Sequence, residues 1–96
     1  MIKHVVLIKL KADYDPQQLQ SLIEKLDALI DEVPTLKRFD HGKNAAGEGG
    51  KFDYGVVAEF DSMADCQAYL VHPAHQAAGA VLMPLIAEAA SMQFEY

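Results

Sequence analysis

Tryptophan is absent from these 96 residues, and cysteine occurs once, at Cys66. A lone cysteine excludes an internal disulfide and suits a reducing compartment, so a cytoplasmic location is expected. Positive charge is scarce: eight Lys and Arg stand against fourteen Asp and Glu, for a formal charge of −6. With no basic run to follow a phosphate backbone, nucleic acid is not an expected partner. No apolar stretch reaches the length of a membrane span, so no membrane association is expected. The N-terminal segment, broken by Lys3, His4 and Lys9, does not have the pattern of a secretory signal. Repeats, linkers and low-complexity tracts are also missing.

What is present is apolar. Hydrophobic residues make up 51% of the chain against 23% charged, which predicts one compact domain over residues 1–96. A domain of this size buries only a modest share of its surface alone, and so apolar a chain gains by oligomerising. The first segment says where. Ile2, His4, Val6, Ile8 and Leu10 share one face of a strand, while Val5 and Leu7 share the other with Lys3, Lys9 and Lys11. A strand apolar on both faces is covered on both. Helices of the same chain supply one cover; a second copy of the chain is the expected other.

Asp15-Pro16 is a helix start, with a capping carboxylate and proline at the first helical position. Leu19, Leu22, Ile23, Leu26, Leu29, Ile30 and Val33 then form an apolar stripe that Pro34 closes. Leu36 to Gly42 reads as a second strand, residues 45–51 as a flexible turn, and Phe52 to Phe60 as a third strand. Ser62 to Asp65 resembles a capping box with Asp in place of Glu, opening a short helix to Val71. A last helix begins near Pro73, with the stripe Ala78, Val81, Leu82, Leu85, Ile86 and Ala89, kinked at Pro84. Met92, Phe94 and Tyr96 alternate with polar residues as a closing strand. The order βαββααβ predicts an α+β fold, with an antiparallel sheet and its helices on one face.

Chemistry concentrates in Tyr69-Leu70-Val71-His72-Pro73-Ala74-His75, a phenol and two imidazoles at a corner between two helices. His75 heads the stripe of Ala78 and Leu82 and sits in a first helical turn, where the helix dipole disfavours imidazolium. A neutral ring there can take a proton or polarise a carbonyl. Tyr69 can donate to an enolate or carbonyl oxygen. His4 lies on the strand face expected beneath the helices. Each also has a plainer role. A helix-start His can bond a backbone carbonyl, a Tyr on an apolar face can be core, and a His in a strand can be structural. His72, just before Pro73, reads as a helix cap, and His41 beside Gly42 as a surface residue. Pro73 breaks the spacing a two-His metal site needs, Cys66 reads as core, and Asp13, Asp15, Asp27, Asp31 and Glu32 read as a solvated face.

The element order, Lys3-His4-Val5-Val6-Leu7, the segment Phe39 to Asn44, Glu59-Phe60-Asp61, His72-Pro73-Ala74-His75 and Phe94-Glu95-Tyr96 together resemble the Dabb family. These are stress-responsive dimeric α/β-barrel domains. The resemblance spans essentially the whole chain and implies a ferredoxin-like fold, with the sheets of two chains packed into a barrel. The family includes plant heat-stable proteins and a plant polyketide cyclase. In that cyclase the Tyr and second His of the matching element serve catalysis, and a first-strand His lines the same cavity. By position these are Tyr69, His75 and His4, whereas His72 matches a structural His. The implied activity is a cofactor-independent cyclase or lyase using acid/base chemistry on a β-dicarbonyl, polyketide-like substrate, which makes a small apolar carbonyl compound the expected ligand. The alternative is a non-catalytic stress-response or structural homodimer. A cofactor-free monooxygenase is disfavoured by the missing Trp and by the His-Pro-Ala-His element. Leu22, Ile23 and Leu26 stand where the cyclase presents aromatics, which implies a different pocket. Some plant members bind magnesium through backbone carbonyls; the matching positions are Ile30, Val33 and Leu36.

Overall fold

A computed structural model describes residues 1–47 and 50–96. Its elements are β1 (Ile2–Leu10), α1 (Pro16–Glu32), β2 (Arg38–Lys43), β3 (Tyr54–Phe60), α2 (Met63–Leu70), α3 (Pro73–Leu82) and β4 (Ile86–Glu95). The four strands form one antiparallel sheet in the order β2-β3-β1-β4. Helices cover one face of it, which is the ferredoxin-like arrangement that the element order predicts.

Local chemistry explains most boundaries. Asp15 caps α1 by accepting the Gln17 amide at 2.8 Å, and Pro16 follows at the first helical position. Ser62 Oγ accepts the Asp65 amide at 3.2 Å to start α2. From α1, Leu19, Leu22, Leu26, Leu29 and Val33 reach the core, where they meet Ile2, Ile8, Tyr54, Val56, Ala58 and Phe60 of the sheet. Ile30, expected in that stripe, is 40% exposed and lies beyond its edge.

Three boundaries differ from expectation, the first being that β3 starts at Tyr54 rather than Phe52. Leu36 precedes β2, buried in the turn after α1 rather than paired in the sheet. More consequentially, α3 does not run on to Ala89. It ends at Leu82, a 3₁₀ turn spans Met83–Leu85, and β4 begins at Ile86. Pro84 stops the helix instead of kinking it, because proline has no amide to donate. In the turn at 45–51, Gly47 takes φ +71; Glu48 and Gly49 lie outside the described residues. Among the described residues no helix is long and apolar enough to cross a membrane.

Candidate active site

The corner between α2 and α3 is tightly specified. The Val71 amide bonds the Gln67 carbonyl and the His72 amide bonds the Tyr69 carbonyl, so α2 closes on itself. His72 then caps α3, its Nδ1 accepting the Ala74 amide at 3.0 Å ahead of Pro73. That is the capping role expected of it. The turn throws His75 back over α2, so that its ring lies 4.5 Å from that of Tyr69, centroid to centroid.

Strand β1 brings the third group. His4 belongs to the inward face with Ile2 and Ile8, is 4% exposed, and lies 6.2 Å from the Tyr69 ring. His4, Tyr69 and His75 thus meet at one cavity of about 90 Å³, whose remaining wall is apolar: Val6, Ile8, Leu22, Leu26, Val56, Ala78, Gly79 and Leu82. A second, more open recess of about 250 Å³ adjoins it, sharing His4, Val6 and His75 and adding Leu70, Ala89, Ala90 and Ser91. The two imidazoles therefore line both the apolar chamber and the more open recess beside β4.

Hydrogen bonds give each ring a different tautomer. His75 Nδ1 lies 3.1 Å from the Leu70 carbonyl, an acceptor only, so Nδ1 carries the proton and donates it there. Nε2 of the neutral ring then keeps its lone pair. His4 is the reverse: Gln93 Nε2 donates to His4 Nδ1 at 2.7 Å, which leaves the proton on His4 Nε2. Burial holds both rings below their ordinary pKa. For His4 the neighbouring His75 lowers it further; for His75 the Leu70 carbonyl pulls the other way. Burial is the largest cause of the lowering at His75. The Tyr69 phenol is pushed well above its usual value, first by burial and then by Cys66, and stays protonated as a donor.

Two contributors are invisible to residue spacing. Gln93 becomes a partner of His4 through the β1–β4 register, which sets the two opposite each other. His41 is not a free surface residue. Its Nδ1 accepts the Tyr54 hydroxyl at 2.6 Å and its Nε2–H donates to Asp27 at 2.7 Å, tying α1 to the sheet. Asp27 is correspondingly more than part of a solvated face. The signal for both lies in strand register, which a single sequence does not display.

Cys66 is fully buried and burial pushes its thiol up, as a core residue requires. Among the described residues no three His, Cys, Asp or Glu side chains gather as metal ligands. Ile30 lies in the last turn of α1, Val33 caps it, and Leu36 follows; the Val33 carbonyl accepts the Leu36 amide at 3.2 Å. Backbone oxygens are donors of the type magnesium takes, but one of these three is already engaged within the turn. An ion there would brace the end of α1, and nothing in the cavity depends on it.

Fold and cavity define a ferredoxin-like α+β domain with a His/Tyr/His-lined chamber under its helices. The family described as the stress responsive A/B barrel domain (Dabb) matches residues 2–96, and the chain belongs to it. It is 27% identical over 82 residues to olivetolic acid cyclase of Cannabis sativa, covering 83% of this chain and 81% of that protein. To the stress-response A/B barrel domain-containing protein HS1 of Arabidopsis thaliana it is 30% identical over 76 residues, 77% of this chain and 70% of that one. A dimeric ferredoxin-like protein of unknown function from Thermobifida fusca superposes with TM-score 0.89 at 32% identity, over 99% of this chain and 90% of that chain.

Proposed function

We propose that this protein is a cofactor-independent acid/base enzyme, a cyclase or lyase acting on a small β-dicarbonyl compound. The observation that carries this is the meeting of His4, Tyr69 and His75 at one cavity, with hydrogen bonds that engage Nδ1 of both imidazoles and leave each Nε2 without a partner among the described residues, a lone pair on His75 and an N–H on His4. A carbon between two carbonyls is acidic enough for a neutral imidazole to deprotonate once the developing enolate is stabilised. His75 takes that proton, and Tyr69 and His4 donate to the enolate oxygen. The carbanion then attacks a further carbonyl of the same molecule, one beyond the dicarbonyl unit, so that the ring C–C bond forms as that C=O opens to an alkoxide. The resulting alkoxide recovers the proton from the His75 imidazolium. Protons balance and the chemistry asks for no cofactor. The similarity to olivetolic acid cyclase supports the substrate class.

The working unit of this proposal is a homodimer packed through the outer sheet face, which exposes Leu7, Met92 and Phe94. A second reading, a non-catalytic homodimer, draws on one observation: His72 and His75 both bond backbone groups across the α2–α3 corner. Two measurements separate them. Hydrogen–deuterium exchange at the α-carbon of a β-keto ester reads proton abstraction directly, and His75→Gln should slow it by about a hundredfold. Ring titrations by NMR should show His75 below 6.5 and moved by Tyr69→Phe. Exchange that His75→Gln leaves unchanged excludes the catalytic reading in favour of the structural one.

A further inference from the structure

Cations are few in this chain and acids many, eight against fourteen, so lysines gathered without acids call for a reason. Lys9, Lys11 and Lys43 border one recess of about 430 Å³ at the end of β1 away from His4. Among the described residues no carboxylate lies within 4 Å of these three ammonium groups, whereas Lys3, Lys37, Arg38 and Lys51 each have one. Even Glu88, opposite Lys9 across the sheet, is taken by Lys51 at 3.0 Å. Asp53 is the acid in the wall of the recess, and backbone engages it. Its carboxylate accepts the Leu10 amide at 2.8 Å, its amide donates to the Ile8 carbonyl at 2.8 Å, and its carbonyl accepts the Asn44 amide at 2.9 Å. Asp53 thus fixes the two backbones that carry the lysines, the ends of β1 and β2, without pairing with an ammonium. The Lys11 amide on the Leu85 carbonyl, at 2.9 Å, completes the frame. Like charges around a concave wall focus their field within it, and an anion relieves their repulsion.

We propose that this recess is a second binding site, for a small phosphate monoester carried on an apolar body. The charged residues of its wall, three lysines less one aspartate, sum to +2. That matches a phosphate monoester past its second ionisation better than it matches a carboxylate. Ammonium groups on flexible stems hold phosphate as point charges and need no fixed fork geometry. Leu10, Tyr14, Leu19 and Ala87 supply an apolar part of the wall, against which a ring or short chain can lie. The recess shares no wall residue with either cavity at His75, so it stands or falls apart from the acid/base reading.

The test is phenyl phosphate titrated into the full chain at low salt, followed through the backbone amide resonances. Wild type should bind saturably, with the largest shifts at Lys11, Ala12 and Lys43, and high salt should weaken the binding. Lys11→Gln with Lys43→Gln, at two exposed positions, should weaken it about tenfold or more, the loss of at least one charged hydrogen bond. Lys25→Gln with Lys37→Gln removes the same charge from exposed positions outside the recess and should leave binding within about twofold, since distant surface charges are screened. Benzoate and inorganic phosphate should each bind more weakly than phenyl phosphate. Shifts that do not saturate at the recess, or equal weakening by the two double variants, overturn the site. Benzoate binding as tightly as phenyl phosphate overturns the choice of phosphate. Inorganic phosphate binding as tightly overturns the part given to the apolar wall.

Discussion

Protons on the cavity imidazoles couple this site to the stability of the fold. Burial lowers the folded pKa of His4 and His75 from the 6.5 each has in the unfolded chain. Below 6.5 the unfolded chain therefore binds protons that the folded one refuses, and stability falls as pH drops through the folded values. Above 6.5 this contribution is fully present. The urea midpoint should hold from pH 8 to about 7, decline below 6.5, and decline less steeply in His75→Gln; identical slopes would remove His75 from the coupling. The Tyr54–His41–Asp27 chain makes a different claim. Tyr54 is 4% exposed, so Tyr54→Phe strands His41 Nδ1 and should cost about 1–2 kcal/mol. Asp27 is 66% exposed at its side chain, so Asp27→Asn should cost under about 1 kcal/mol. The reverse order in urea unfolding would show that the outer bond, not the inner one, holds the helix.

Caps and periodicity made most elements legible in the sequence, and where they failed the reason is physical. Asp15-Pro16, Ser62 and His72-Pro73 mark helix starts because unpaired amides there need an acceptor. His72→Ala should cost about 1 kcal/mol, and His72→Asn, which keeps a side-chain acceptor, appreciably less; equal losses in thermal unfolding would mean that the ring packs rather than caps. The end of α3 was not legible. Ile86-Ala87-Glu88-Ala89-Ala90 suits a helix by propensity, yet the segment pairs with β1, Leu10 opposite Ile86 and Leu7 opposite Ala90. Tertiary pairing overrode local preference, and only Pro84 signalled it. The site divides the same way. His4, Tyr69 and His75 stand out by rarity and by their place on inward faces, whereas Gln93 and Tyr54 act through strand register.

Across the whole molecule the sheet is the asymmetric element, helix-covered on one face and open on the other. On the open face Val5 lies between Val57 and Met92, Leu7 between Gly55 and Ala90, and Lys3 between Glu59 and Phe94. Apolar residues thus run across three strands between charged ends: Lys3 and Arg38 each pair with Glu59 at one, and Lys9 lies opposite Glu88 at the other. Leu7 and Met92 remain 40% and 58% exposed, and burying them against a second sheet is the gain a small domain obtains by pairing. Leu7→Lys with Met92→Lys should therefore convert a dimer to a monomer in sedimentation velocity at micromolar concentration. One chain supplies His4, Tyr69 and His75 and the helices that cover them, so the same variant should keep the wild-type His75 titration. A variant that stays dimeric would move the interface off this face. A monomer whose His75 returns to 6.5 would instead show that the second sheet, and not the helices alone, keeps water from the cavity.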